Sequence, residues 1–168
     1  MKTWFISDTH FNHENIIKYC DRPFTSKEDM NQELIKRWNN TVSKTDIVWF
    51  LGDFALGGRE ECKSLLSQLN GEIRMIRGNH DHFPDSFFYD CGIKFISKYP
   101  IILKDKFILS HAPIHLDENS QFINIHGHIH NKGHHNGNSP EIMDDRHICV
   151  CVERINYKPT QIQLFNNY

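Results

Sequence analysis

Uninterrupted apolar runs that end in polar residues are the clearest pattern along the chain. Residues 47–51 are all apolar and β-prone, and Gly52 and Asp53 follow them directly. Such a run predicts a buried strand with a carboxylate at its tip. Four further runs end similarly, at Asp8-Thr9-His10, Gly78-Asn79-His80-Asp81, His111 and His126-Gly127-His128-Ile129-His130. Five strand ends would bring Asp, His and Asn side chains to one edge of a sheet.

Helical periodicity separates the early strands. Apolar residues recur at helical spacing in residues 30–42 and again in residues 62–69. This predicts two amphipathic helices that pack on the sheet, the first capped by Thr25 or Ser26 and the second ended by Gly71. A shorter helix is predicted over residues 12–19. The order of strand, helix and strand through residues 47–76 is typical of a parallel βαβ crossover, in which ligands bind at the carboxyl ends of strands.

From residue 95 onward, strands replace helices. They are predicted at residues 95–96, 101–103, 107–110, 122–125, 148–152 and 162–165. Early helices and late strands predict an α/β fold of two packed sheets with helices outside, in a single domain that spans residues 1–168. Residues 131–146 form a polar loop long enough to be functional, and its role is left open.

Composition narrows the classes of function. The 168 residues carry a net charge of −2, so the chain lacks the basic field that holds long duplex DNA, and no such partner is expected. Its five cysteines show no Cys-x-x-Cys pair and indicate reduced intracellular thiols. The amino terminus enters a strand without a signal region, and no apolar run reaches the length of a membrane span. We therefore expect a soluble cytoplasmic protein, of open oligomeric state.

The strand-end residues make a candidate metal site. Its possible donors are Asp8, His10, Asp53, Asn79, His111, His128 and His130. Carboxylate, imidazole and amide oxygen together suit manganese, iron, zinc or nickel. Seven protein ligands are too many for one catalytic ion that keeps a position open, but they suit two ions that share a carboxylate. Two ions about 3.5–4 Å apart lower the pKa of a bridging water toward neutrality, which suits phosphoryl chemistry.

The order of these motifs resembles that of the calcineurin-like metallophosphoesterase superfamily. The motifs are Asp8-x-His10, Gly52-Asp53, Gly78-Asn79-His80-Asp81, His111 followed by Pro113, and Gly127-His128-x-His130. The carboxyl-terminal tail is similar to that of small bacterial and phage members. The resemblance implies a four-layer αββα sandwich of two mixed sheets flanked by helices. It also implies a hydrolase with two divalent ions, Mn²⁺ being favoured over Fe, Ni or Zn.

Roles for the site residues follow from the same resemblance. It implies one ion held by Asp8, His10 and His130, a second held by Asn79, His111 and His128, and a bridging Asp53. It implies in-line attack on phosphorus by a metal-bridging hydroxide, with His80 as the general acid that contacts the phosphate and helps the leaving group depart. Asp81, next in the chain, is expected to orient the His80 imidazole.

Several further residues are candidates for contact with the substrate. His13 follows the first motif closely, and Arg22 is a cation in a loop on the same edge, so either can be expected to bind phosphate oxygens. Helix packing for His13 and a surface charge for Arg22 are the alternatives. Arg77, where relatives often place a proline, is included as a substrate-binding candidate of open role. His126 is expected to bond a backbone group.

Three functions remain in competition. The first is a phosphodiesterase that acts on a small or terminal phosphate ester, including a nucleotide or a nucleic-acid end, because His80 can protonate a poor leaving group. The second is a phosphomonoesterase, such as a nucleotide or protein phosphatase. The third, from another class, is a metal-stabilised interaction scaffold without catalytic activity.

Overall fold

The computed structural model describes residues 1–131 and 143–163. Its strands are β1 (Thr3–Ile6), β2 (Ile47–Phe50), β3 (Glu72–Ile76), β4 (Phe95–Ser97), β5 (Ile101–Leu103), β6 (Phe107–Ser110), β7 (Ile123–His126) and β8 (His147–Cys149). Its helices are α1 (Glu14–Tyr19), α2 (Lys27–Thr41), α3 (Arg59–Ser67), α4 (Asp85–Asp90) and a short 3₁₀ helix (Val152–Arg154).

The strands form two four-stranded sheets. The first sheet has the order β1-β2-β3-β4 and is parallel throughout. The second has the order β5-β6-β7-β8, in which β5 and β6 are antiparallel and the other neighbours are parallel. Because parallel strands leave a sheet in one direction, the residues after β1, β2 and β3 meet at one edge, as do those after β6 and β7.

Alternation along β2 shows why this strand is apolar on both faces. Val48 and Phe50 lie in the apolar cluster shared with the helices, whereas Trp49 and Leu51 lie in the cluster between the two sheets. Successive strand residues point to opposite faces, so a strand buried on both sides needs an unbroken apolar run.

Helix α2 packs through one stripe and is capped as its sequence predicts. Met30, Leu34 and Trp38 are buried along it, and the Ser26 side chain accepts a hydrogen bond from the Asp29 N–H over 3.1 Å. This contact satisfies one of the free N–H groups at the helix start.

The chain crosses from the second sheet back to the first after β8. The N–H of Ser7, just beyond β1, donates to the Val150 carbonyl over 2.9 Å, and Val152 N–H donates to the Ser7 carbonyl over 3.2 Å. The 3₁₀ helix follows directly and places Glu153 within hydrogen-bond distance of His130. The predicted strand over residues 148–152 therefore ends earlier, at Cys149, because the chain changes sheets.

The predicted fold of two packed sheets with flanking helices is confirmed. The α-helices of the described residues pack on the first sheet, which is wholly parallel rather than mixed. Helix α3 ends at Ser67, and Gly71 (φ 98°) instead makes the turn into β3. Residues 132–142 of the predicted 131–146 loop and residues 164–165 of the predicted 162–165 strand lie outside the described residues, and residues 162 and 163 are not in a strand. No helix in the described ranges has the length and apolar character that crossing a bilayer requires.

Candidate metal centre

Both sheets contribute to the candidate site. The ends of β1, β2 and β3 supply Asp8, His10, Asp53 and Asn79, and the ends of β6 and β7 supply His111, His128 and His130. Backbone hydrogen bonds hold these ends together: Asp8 N–H donates to the Gly52 carbonyl over 2.9 Å, and Gly127 N–H to the His111 carbonyl over 2.8 Å. The structure thus brings all seven predicted ligands to one edge of the sandwich.

One group of ligand atoms surrounds Oδ1 of Asp8. His130 Nε2 lies 3.6 Å and His10 Nε2 lies 3.9 Å from that oxygen. His10 Nε2 is also 3.5 Å from Oδ2 of Asp53. Ligand atoms that each bind one ion at about 2.0–2.2 Å are separated by distances of this order, so the group fits a divalent cation.

The second group surrounds Nε2 of His111. This nitrogen lies 2.9 Å from Asn79 Oδ1, 3.1 Å from His128 Nδ1 and 3.4 Å from Asp53 Oδ2. Its ring is oriented from behind, because the other ring nitrogen, Nδ1, bonds the Leu51 carbonyl over 2.8 Å. Oδ2 of Asp53 therefore faces histidines of both groups, the position that a bridging carboxylate needs.

Unsatisfied buried atoms show that the first group fits a cation. Oδ1 of Asp8 and both ring nitrogens of His10 are buried and have no hydrogen-bond partner among the described residues. Buried polar atoms are normally bonded, and leaving one unpaired costs about 1–3 kcal/mol. Asp8 Oδ1 and His10 Nε2 would both be satisfied if they held a divalent ion, so these residues fit a resident metal.

In the metal-free chain, protonated histidines supply part of the positive charge that bound cations would otherwise bring. Burial lowers the pKa of His10 well below its usual value, so its ring is neutral. Burial also lowers the pKa of His111, but its hydrogen bond to Asp53, the charges of Asp8 and Asp53 and its bond to the Leu51 carbonyl together raise the pKa to about 9. Burial lowers the pKa of His130 as well, but hydrogen bonds to Cys20 and Glu153 and the charges of Asp8 and Glu153 together raise it to about 10. In the metal-free chain, one imidazolium therefore lies in each group.

The backbone of the ligand loops is strained. Five of the seven ligands have positive φ, a region that non-glycine residues rarely adopt: Asp8 (57°), His10 (48°), Asp53 (59°), His128 (72°) and His130 (48°). Each such residue costs of order 1 kcal/mol, and this conformation clusters at functional sites. These positive φ angles turn the ligand side chains toward the site. In a regular strand, by contrast, successive side chains would point to opposite faces of the sheet.

Glycines allow the loops to approach the carboxylates closely. A Cβ built on Gly78 would lie 2.1 Å from Asp53 Oδ1, and one on Gly127 would lie 2.3 Å from Asp8 Oδ2. Any side chain at either position would therefore displace a ligand.

Comparison with known proteins agrees with this geometry. The family model described as calcineurin-like phosphoesterase matches residues 1–159. The chain belongs to this family. Calcineurin-like phosphoesterases are metal-dependent phosphoester hydrolases that typically bind two divalent ions, and the two groups of ligands match that centre.

Individual relatives cover the chain to different extents. An uncharacterised protein of Methanocaldococcus jannaschii is 46% identical over 170 residues, which cover 97% of this chain and 88% of that protein. The Gene 66 protein of Mycobacterium phage L5 is 35% identical over 82 residues, 47% of this chain and 39% of that protein. A crystal structure of a protein of unknown function from Aquifex aeolicus superposes with a TM-score of 0.71 at 25% identity, covering 99% of each chain. The predicted resemblance to small phosphoesterases with phage relatives is confirmed.

His80 lies at the phosphoesterase cleft, but Asp81 does not orient it. The His80 N–H donates to Asp53 Oδ1 over 2.8 Å, and its ring packs edge-on against His10 with 5.3 Å between centroids. The Asp81 carboxylate is buried and accepts the backbone N–H groups of Asp53, Phe54 and Gly78, at 2.9, 2.9 and 2.7 Å. This corrects the predicted role of Asp81: it fixes the backbone that carries the ligands.

The structure also corrects the predicted phosphate contact of Arg22 and the candidate substrate-binding role of Arg77. Arg77 points toward α4, where it pairs with Asp85 over 2.7 Å and bonds the Asp81 carbonyl. Arg22 is buried, and its guanidinium bonds Glu153, the Asp8 and Thr9 carbonyls and the Met30 sulfur. Neither guanidinium is directed at the cleft.

His13 is the substrate-binding candidate that does reach the cleft. Its ring lies 5.4 Å from that of His10, and its Nδ1 is buried without a partner among the described residues. Tyr19, which sequence reasoning did not single out, lines the same cleft with its ring 6.3 Å from that of His13. His126, as expected, bonds a backbone group, the Gly127 carbonyl, over 2.9 Å.

Proposed function

We propose that this phosphoesterase is a phosphodiesterase that acts on a small or terminal phosphate ester with two divalent ions. One observation carries the proposal: Oδ2 of Asp53 lies 3.5 Å from His10 Nε2 and 3.4 Å from His111 Nε2, between the two groups of ligands. A carboxylate shared in this way supports a dinuclear rather than a single-ion centre.

Two ions bound by these groups supply a nucleophile at neutral pH and offset the negative charge of the phosphate. The chain's own residues position that chemistry. Asp53 lies on the loop after β2, and Asn79 lies on the loop after β3. The Asp81 carboxylate holds both loops by accepting three backbone N–H groups from them. Positions held in this way keep reacting groups aligned without reorganisation during the reaction.

His80 is proposed as the general acid for the leaving group. It is half-buried, lines the cleft beside Asn79 and His10, and is held by its N–H bond to Asp53. A protonated His80 donates to the leaving-group oxygen as its bond to phosphorus breaks, which lowers the barrier most for poor leaving groups such as the alkoxides of natural diesters. This preference supports diester over monoester hydrolysis.

The cleft supports a small or terminal substrate. It measures about 230 Å³ and opens between the ligand histidines and α1. The chain carries a net charge of −2, so long duplex DNA is not proposed as a substrate. A nucleotide or a nucleic-acid end fits within the proposed class.

Mn²⁺ is the proposed ion, with Fe, Ni and Zn as alternatives, because imidazole nitrogens are mixed with carboxylate and amide oxygens.

The cytoplasm is the proposed location. All five cysteines are free, including Cys149 and Cys151, whose sulfur atoms are only 3.3 Å apart, and this supports a reducing compartment.

The test compares bis-p-nitrophenyl phosphate with p-nitrophenyl phosphate on chelator-stripped protein reloaded with Mn²⁺, Fe²⁺, Ni²⁺ or Zn²⁺. Faster turnover of the diester with Mn²⁺, lost in His80→Ala, supports the proposal. Faster turnover of the monoester points to a phosphomonoesterase. If no ester is hydrolysed with any ion, the scaffold function is favoured instead.

A further inference from the structure

Two charged residues 131 positions apart are buried together behind one group of ligands. The side chain of Arg22 is 0% exposed and that of Glu153 is 2% exposed. Arg22 Nε donates to Glu153 Oε1 over 2.9 Å, and its Nη2 lies 2.7 Å from the same oxygen in an ion pair. A buried ion pair is weak evidence for stability, because desolvation offsets its attraction. Its position suggests a different use.

Glu153 contacts a metal-ligand histidine from behind. Its Oε1 accepts a hydrogen bond from Nδ1 of His130 over 2.9 Å. With the proton held on Nδ1, the lone pair of His130 is on Nε2, the nitrogen that lies 3.6 Å from Asp8 Oδ1. A carboxylate in this position fixes the tautomer and orientation of an imidazole ligand and makes it more basic.

Arg22 connects this carboxylate to the loop that carries the other ligands of the group. Its remaining N–H groups donate to the Asp8 carbonyl and the Thr9 carbonyl, each over 2.7 Å, and to the Met30 sulfur over 3.3 Å. Each of the three guanidinium nitrogens thereby has a partner among the described residues. The loop after β1 and the 3₁₀ helix that carries Glu153 are therefore fixed relative to each other through one side chain.

The other group of ligands is supported differently. There His111 Nδ1 bonds a neutral backbone carbonyl, that of Leu51. A charged carboxylate behind the histidine distinguishes the group of Asp8, His10 and His130. We propose that Glu153 and Arg22 are a positioning pair for this group, and that they make its ion the more tightly held of the two. The proposal depends on the metal centre but not on which ester is hydrolysed.

Calorimetric titration of chelator-stripped protein with Mn²⁺ tests the proposal without any substrate. Glu153→Gln keeps the shape of the side chain but removes its charge, and we expect the tighter of the two binding steps to weaken roughly 10–100-fold while the weaker step is unchanged. A loss confined to the weaker step would contradict the proposal. The matched control is Glu72→Gln, which breaks a partly exposed pair with Arg74 away from the ligands and should leave both steps unchanged. Two unchanged steps in Glu153→Gln, or two equally weakened steps, would overturn the proposal.

A second measurement uses the unaltered chain, in case Glu153→Gln does not fold. Long-range ¹H–¹⁵N spectra of the Zn²⁺-loaded protein report which nitrogen of each histidine carries a proton. We expect His130 to carry it on Nδ1 and to show the downfield proton shift of a bond to a carboxylate. A His130 protonated on Nε2 would contradict the proposal whatever the esterase activity of the protein.

Discussion

The backbone N–H of His80 donates to Oδ1 of Asp53, while Oδ2 of the same carboxylate faces the ligand histidines. The proposed proton donor and the shared carboxylate are thus joined by one hydrogen bond, yet their side chains serve different purposes. Substitutions at the two positions should therefore fail in different ways.

His80→Ala should keep both Mn²⁺ ions and lower kcat by roughly 10²–10⁴-fold, the usual contribution of general acid–base catalysis. Asp53→Asn should also lose the second ion, because an amide is a poorer bridge between two cations. Metal content and diester turnover, measured on the same samples, separate the two effects. The control is His82→Ala, an exposed neighbour whose ring lies 6.2 Å from His80 and which does not line the cleft.

Metal binding should release protons. His111 and His130 have pKa values of about 9 and about 10 in the metal-free chain, so both are protonated at about pH 7.5. An ion needs the neutral ring, so loading both groups should release about two protons, and the affinity for each ion should rise by up to about tenfold per pH unit until its histidine deprotonates. Calorimetry in buffers of different ionisation enthalpy counts these protons. A release near zero would show that the two rings are already neutral.

Tyr19 should contribute to binding of aromatic esters. Its side chain is half-exposed and forms the outer wall of the cleft beside His13. Stacking of a base on an aromatic ring contributes about 1–3 kcal/mol, so Tyr19→Ala should lower kcat/KM for a thymidine p-nitrophenyl diester at least fivefold. The corresponding methyl p-nitrophenyl diester should be affected less. Tyr99→Ala, which removes a still more exposed tyrosine away from the cleft, should change neither value.

Gly127→Ala should disrupt the first group of ligands through one methyl group. The added Cβ would lie 2.3 Å from Asp8 Oδ2 and 2.4 Å from Ser7 Oγ, both on a buried loop that cannot move freely. We expect a loss of about 1–3 kcal/mol in the free energy of unfolding, together with weaker binding of one ion. Gly58→Ala is the control, because its Cβ meets only Glu61 Oε2, at 3.6 Å. Equal denaturation curves for the two variants would contradict the expectation.

The sequence predicted the strand ends well because each depends on local pattern. The apolar run before Asp53 predicts a doubly buried strand, and the motifs of the family give the order of the ligands. Neither local pattern nor motif predicted Glu153, which lies in the tail and reaches His130 only because the chain changes sheets after β8.

For Arg22 and Asp81, the sequence predicted a role but not the position or the contacts of the side chain. Arg22 lies in a polar segment that is typical of the surface, yet its side chain is buried. It donates hydrogen bonds there to Glu153 and to the carbonyls of Asp8 and Thr9. Asp81 is next to His80 in sequence but faces the other way, toward the backbone of Asp53 and Phe54. The burial and direction of a side chain depend on contacts with residues that are distant in sequence. Local sequence patterns do not predict those contacts.

The ligands divide between two sheets that pack through an apolar face and have no disulfide between them among the described residues. A cation that binds Asp8 from one sheet and His130 from the other therefore cross-links the two layers, much as a disulfide would. Cations held in this way would also resist separation of the layers, so depletion of metal should loosen the sandwich as well as remove activity.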